Sequence, residues 1–263
     1  MPFKDIIWEI DGNIGRLTLN KPEKLNALSN NSWAEIEQAI AEANENDEVR
    51  AVLITGAGRG FCSGTDLTYT GDLDVPRPFA GRAGRARTRM LCAAWVYHCD
   101  KPTIAAVNGV CVGAGLSLAL ACDIRVASTE SKFSSIFVKR AISPDTGTSW
   151  LLPRLIGMEN ALKMMYTGNL VSGPDALKMG LVSEMVEPEV LLERAESLAK
   201  EIASGPSVAV EIAKRLAHDG LHRGLDEHVE IETFLQGSTR DTEDIKEGRL
   251  AFVEKREPVF KGR

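Results

Sequence analysis

The sequence predicts an α/β fold of strand–turn–helix units, followed by a tail that is nearly all helix. Three observations predict it. Short β-prone runs recur at 14–19, 49–55, 102–107 and 124–127, each closed by Asn, Gly or Ser. Stretches of 3–4-residue apolar spacing alternate with them, which is helical periodicity. Such a unit cannot bury its apolar face alone, so the units must stack or form layers.

The elements follow in order. Ile7–Ile10 and Ile14–Leu19 flank Asp11-Gly12 and read as a hairpin. Lys21–Lys24 is a loop. From Ser29 to about Asn44, Trp33, Ile36, Ile40 and Ala43 mark one face of a helix. Val49–Thr55 is a buried strand closed by a glycine-rich turn. Residues 71–87 are irregular and arginine-rich, and helical spacing returns from Thr88 to Tyr97. Pro102–Val107 is a strand, Gly113–Ala121 a helix and Ile124–Ala127 a strand. A loop carries Ser143–Gly147. Helices are predicted at 147–155, 158–166, 173–179, 188–203, 205–218 and 224–236.

Composition narrows the function. Among 263 residues, 31 Lys and Arg stand against 37 Asp and Glu, for a net charge of −6. That balance argues against a general nucleic-acid surface, which needs a basic face. It leaves room for a few local cations that meet a small anionic ligand. The odd set Cys62, Cys92, Cys99, Cys111 and Cys122 has no CxxC spacing. It reads as buried thiols in a reducing compartment. No apolar run is long enough to span a bilayer, and the first residues lack the pattern of a secretory signal. A cytoplasmic protein is expected.

The familiar catalytic inventories are sparse. His98, His218, His222 and His228 form no metal-binding spacing, so no metal site is predicted. There is no nucleophile elbow and no Walker lysine motif. Two loops suit backbone chemistry instead: Phe61–Leu67 and Asn108–Gly115. N–H groups from two such loops can converge on one carbonyl oxygen as an oxyanion hole. Taken alone, the same glycines also read as tight turns and close packing.

Four motifs taken together resemble the crotonase superfamily, the enoyl-CoA hydratase/isomerase family. They are Leu19–Leu28 (LNKPEKLNAL), Gly60–Leu67 (GFCSGTDL), Lys101-Pro102 through Asn108-Gly109 and Gly113-Ala114-Gly115 to Ala121-Cys122-Asp123-Ile124, and the tail from Glu247-Gly248 to Phe260. The resemblance covers essentially the whole chain, in order. It implies a spiral of ββα units with a C-terminal helical trimerisation region. The division expected from it is a core with the acyl-CoA site at 1–190 and an oligomerisation region at 191–263. It implies an acyl-coenzyme A thioester as substrate, no permanently bound cofactor, and a homotrimer or homohexamer. By position, the oxyanion N–H groups are those of Ser63 and Ala114. Lys24, Leu25, Thr65 and Asp66 are expected to meet coenzyme A. Phe252 and Lys255 match tail positions that reach a neighbouring subunit's nucleotide.

The resemblance also discriminates between reactions. Hydratases of the family use two glutamates, and the matching positions here are Ser117 and Phe137. Neither serves as a general acid or base near neutral pH. Asp145, within Ser143–Trp150, matches the catalytic Asp of several relatives. The run Pro144–Arg154 is most like the epoxyphenylacetyl-CoA and enoyl-CoA isomerases. An isomerase with Asp145 as the proton carrier is therefore expected, in a pocket supplied by Ile136, Phe137 and Trp150. The competing reading of Asp145 alone is a helix N-cap. Other readings are a hydratase or lyase with a non-standard water site, and an arylacyl-CoA dehalogenase or hydrolase with Asp145 as nucleophile. The dehalogenase needs a His and a Trp where Met90 and Phe137 stand. Arg82, Arg85, Arg87 and Arg89 read as a solvated face, or as contacts to phosphates or a lid. The non-enzymatic reading is an RNA-binding protein of the same fold.

Overall fold

A computed structural model describes residues 3–67 and 92–263 of the chain. The readings placed on 68–91, including Met90 and the four arginines, lie outside the described residues.

The strands form two sheets. β1 (Ile6–Asp11) and β2 (Ile14–Leu19) make the predicted antiparallel hairpin, with Ile6 opposite Leu19 and Asp11 opposite Ile14. β3 (Ala51–Gly56), β5 (Thr103–Val107), β7 (Ile124–Ser128) and β10 (Glu184–Val186) continue from β2 in parallel. The result is a six-stranded sheet of order β1-β2-β3-β5-β7-β10. A second sheet joins β4 (Gly60–Cys62), β6 (Val110–Val112), β8 (Lys132–Ser134) and β9 (Val171–Ser172) in that order.

Both faces of the large sheet are covered, which explains its continuous apolar runs. Along β3, Val52 and Ile54 join the main core, while Ala51 and Leu53 face a smaller one. α1 (Asn30–Glu45) supplies Trp33, Ile36, Ile40 and Ala43 to the main core, the face its periodicity predicts. Ser29 and Ser32 close its start as a reciprocal capping box. α2 (Cys92–Tyr97) and α3 (Ala114–Ala121) complete the centre. All eight residues of α3 are buried, so this helix is apolar all round.

α4 (Thr148–Ile156) packs against α3 and α5 (Met158–Thr167), and α6 (Gly173–Lys178) lies on β8 and β9 of the second sheet. α7 (Leu191–Ala203), which the sequence reading assigns to the C-terminal region, lies on the other face of the large sheet. Its Leu191, Ala195, Ala199 and Ala203 pack on Leu53, Ile104 and Val126. Three helices follow: α8 (Ser207–Gly220), α9 (Leu225–Gly237) and α10 (Glu243–Glu254).

α8 is attached mainly through charge. Asp123 accepts from the Thr103 N–H at 2.7 Å and pairs with Lys214 at 2.8 Å. Lys101 pairs with Glu211 at 2.8 Å. Arg50 reaches the carbonyls of Ala203, Phe260 and Lys261 and holds the last residues against the core. Cys62, Cys99, Cys111 and Cys122 are buried free thiols, and burial pushes Cys62 and Cys122 up to about 12. No helix among the described residues is long and apolar enough to cross a membrane.

Candidate active site

The second sheet brings the two glycine-rich loops together. β4 and β6 run parallel, so the chain leaves both strands at the same end. There Gly64 lies against Gly113-Ala114: a Cβ on Gly64 would stand 3.4 Å from the Ala114 nitrogen. Gly64 has φ +93, a conformation that side chains resist. At the second residue of α3, Gly115 meets β4 so closely that a Cβ would lie 2.5 Å from the Cys62 carbonyl oxygen. The sequence thus fixes the spacing of the two loops by what these two residues lack.

Ala114 is the first residue of α3, and helix-starting N–H groups have no partner within the helix. The first-turn bonds begin with Ser117, whose N–H donates to the Gly113 carbonyl at 3.1 Å. Among the described residues nothing accepts the Ala114 N–H, which stands at the loop junction with the positive end of the helix behind it.

The other predicted donor needs correction. The Ser63 N–H donates to the Leu25 carbonyl at 2.9 Å and is not available to a ligand. Two residues on, Thr65 forms a parallel bridge with Leu28. In that bridge the Leu28 N–H donates to Gly64 and the Asp66 N–H donates to Leu28. The bridged residue itself, Thr65, turns its N–H to the opposite side. In a straight strand the N–H groups of residues 63 and 65 would point the same way. The positive φ of Gly64 reverses the chain between them. Among the described residues nothing accepts the Thr65 N–H, and Thr65 is exposed.

The predicted coenzyme A residues of the first half form one cluster. Lys24 Nζ meets Asp66 at 2.8 Å, and that carboxylate holds the Lys24 ammonium above its ordinary value. The Ser63 hydroxyl donates to the Lys24 carbonyl at 3.0 Å. Leu25 and Asn26 have φ of 50 and 58, and the buried Asn26 amide holds this turn by donating to Ala57 and Gly60. Phe252 and Lys255 are elsewhere. Phe252 is 85% exposed on α10 and borders an apolar groove with Val208, Ile245 and Phe260. Lys255 caps the same helix with φ 56. Neither belongs to the Lys24–Asp66 cluster.

Behind the Ala114 N–H lies a knot of hydroxyls. Ser117, fully buried, is 2.5 Å from the Thr148 hydroxyl and accepts from Thr146 at 2.6 Å. Thr146 also stands 3.2 Å from Asp145 Oδ1. One hydroxyl has one proton, so Thr146 donates to Ser117 or to Asp145 but not to both at once. The Ser117 hydroxyl also reaches the Gly113 carbonyl at 3.3 Å, so the chain of protons closes in either orientation. Thr146 has φ +50, a strained conformation for a β-branched residue. The hydroxyl contact holds it there.

Asp145 sits at the open edge of this knot. Asp145 is exposed, yet partial desolvation raises its carboxyl above the ordinary value, against opposing hydrogen bonds from Thr146 and its own backbone N–H. It is not a side-chain cap: α4 begins after Gly147, and only the Asp145 carbonyl reaches the Thr148 N–H. Among the described residues it is the carboxylate in contact with the hydroxyl knot. Of the residues expected to enclose it, Phe137 is buried, Ile136 packs at Gly113, and Trp150 lines a cavity next to Thr146. Sequence reasoning missed Thr146 and Thr148. Their only signal was a hydroxyl on each side of Gly147.

Comparison with known proteins decides the family. The enoyl-CoA hydratase/isomerase model matches residues 9–263.

The chain belongs to the enoyl-CoA hydratase/isomerase family. It is 38% identical to the (E)-benzylidenesuccinyl-CoA hydratase of Thauera aromatica, over 98% of this chain and 99% of that one. It is 34% identical to the 1,2-epoxyphenylacetyl-CoA isomerase of Escherichia coli, over 98% of each. The solved enoyl-CoA hydratase of Bacillus anthracis superposes with a TM-score of 0.91 at 31% identity, covering 99% of this chain and 100% of that one. This family member therefore has the crotonase fold that its motifs implied. Hydratases and an isomerase both stand among its relatives.

Proposed function

We propose that this enzyme moves a double bond, or rearranges a ring, within an enoyl-CoA thioester. Asp145 transfers the proton in this reading. The Thr65 and Ala114 N–H groups hold the thioester oxygen as negative charge develops on it. That hydrogen bonding acidifies the carbon next to the thioester. Asp145 takes a proton from this carbon and returns it to the far end of the dienolate. Its raised carboxyl is a better match to this task than an ordinary one. The Thr146 hydroxyl, turned toward Asp145 or toward Ser117, positions the carboxylate in both of its protonation states.

A single observation carries the choice. Ser117 and Phe137 stand where the paired glutamates of a hydratase would, and both are buried without a carboxylate. The coenzyme A moiety is read onto Lys24, Leu25, Thr65 and Asp66. Phe252 and Lys255 are proposed to complete a neighbour's site in a homotrimer or homohexamer, and the working division at 190/191 goes with that proposal. No nucleic-acid partner is proposed, and the expected location is the cytoplasm.

Hydration is the second reading, favoured by the hydratases among the relatives. It would use Asp145 as a lone base on water. Product analysis separates the two. Incubated in deuterated water, 3-enoyl thioesters are expected to yield the 2-enoyl isomer carrying deuterium at the reacting carbons. Stoichiometric 3-hydroxyacyl product from a 2-enoyl thioester, with no migration from the 3-enoyl form, would overturn the isomerase reading.

A further inference from the structure

A cavity of about 380 Å³ opens between α2 and α4, directly beside the hydroxyl knot. Ala93, Tyr97, Thr146, Trp150, Leu151 and His222 line it. The volume lies in the range of small-molecule sites. Thr146 belongs both to this wall and to the Asp145 contact, so the cavity continues the reacting site away from the oxyanion N–H groups.

Its walls are aromatic and already held in place. The Tyr97 and Trp150 rings meet edge to face at 5.4 Å and 85°. Tyr97 is backed by a stacked His218 at 4.2 Å. Trp150 carries the Arg154 guanidinium 3.9 Å over its ring and stacks with His222 at 5.6 Å. Beside Tyr97, α2 brings the small Ala93 and Ala94 to the lining. The Tyr97 hydroxyl is buried and has no hydrogen-bond partner among the described residues. An alkyl chain gains only area from such walls. A flat ring gains quadrupole contacts with two rings set at a right angle, at little ordering cost because both walls are fixed.

We infer that the cavity takes an aryl ring carried on the acyl chain, so that the substrates are aryl-substituted acyl thioesters. The inference rests on the placement of the thioester at Thr65 and Ala114, and it names the substrate class of that site.

Binding of saturated thioesters tests it without any turnover. The probes are 4-phenylbutanoyl-, 4-cyclohexylbutanoyl-, octanoyl- and butanoyl-CoA, measured by calorimetry on the full chain. Phenylbutanoyl-CoA is expected to bind about tenfold more tightly than octanoyl-CoA, and several-fold more tightly than the cyclohexyl analogue. Trp150→Leu should bring the phenyl-to-octanoyl ratio close to one, while Trp150→Phe retains it. Butanoyl-CoA is the short-chain reference, and circular dichroism with thermal unfolding of each variant reports an intact fold. If Trp150→Leu does not fold, Ala94→Phe must weaken phenylbutanoyl-CoA while sparing butanoyl-CoA. Equal or tighter octanoyl binding, a cyclohexyl analogue as good as phenyl, or a ratio unmoved by Trp150→Leu would overturn the inference. Failure of the isomerase reading would show instead as absent bond migration while the aryl preference stood.

Discussion

The loop junction at Gly64 and Ala114 and the helical tail after Ser207 are held by opposite means. At the junction backbones touch: all of α3 is enclosed, and Gly115 abuts Cys62 without room for a methyl. In the tail, none of the fourteen residues of α8 is fully buried, and α8 is held by Asp123, Lys101 and their partners. Phe234, Phe252 and Val253 stand 79%, 85% and 76% exposed. Exposed apolar side chains in that number are the ground for the self-association proposed above. The contrast teaches where precision is needed. N–H groups that stabilise an oxyanion must be fixed to fractions of an ångström, and only close packing does that. The association proposed for the tail needs only that its apolar side chains be presented.

The largest expected effect breaks the junction. Gly115→Val places side-chain atoms on the Cys62 carbonyl, which must move. It should cost at least about 3 kcal/mol and separate the two loops. Chemical denaturation and turnover should fall together.

Next comes the attachment of the tail. Asp123→Ala leaves Lys214 and the Thr103 N–H without their acceptor and should cost roughly 2–4 kcal/mol, read by denaturation. The same group predicts a pH dependence. Burial raises the Asp123 carboxyl, but His218, Lys214 and Thr103 together hold it below its ordinary value. A depressed carboxylate stabilises the fold above the unfolded value of about 3.9. That contribution is lost as pH falls through the lower folded value. Acid titration of the unfolding midpoint should therefore show a loss below about pH 4 that Asp123→Asn lacks.

The smallest effect on the fold sharpens the other side of the comparison. Phe252→Ser should change the unfolding free energy of one chain by under about 0.5 kcal/mol. It should nonetheless weaken self-association, as measured by sedimentation.

How legible each region was follows from length and direction. β1, β2, β3, β5 and β7 run for five or six residues, enough for apolar patterning to show, and they lie where the sequence placed them. β4, β6 and β8 are three residues long, and β9 is two. A period cannot be seen in three residues, so these strands read as loops. They are nonetheless the strands that carry the site. α7, α8 and α9 were legible from periodicity, although α7, which packs on the large sheet, could not be told from its unburied successors; α10 lies in a stretch that read only as charged, and it was not predicted.

Within the site, Asp145 stood out because its motif did. That the Ser63 N–H is taken, and Thr65 is proposed in its place, has a backbone cause. Side-chain identity does not say which way an N–H points once Gly64 has turned the chain. Thr146 and Thr148 were invisible because a hydroxyl network exists only when a strained loop brings it to Ser117.

The central claim is that one carboxylate, Asp145, moves the proton while two backbone N–H groups hold the charge. Asp145→Asn tests it most directly, since the amide keeps the shape and cannot take a proton. The measurement is the rate of 3-enoyl-CoA isomerisation and solvent deuterium exchange beside the thioester, with the dissociation constant of a saturated acyl-CoA measured alongside. The account predicts a loss of about 10²–10⁴ in both rates with binding nearly unchanged. Parent-like rates in Asp145→Asn would contradict it.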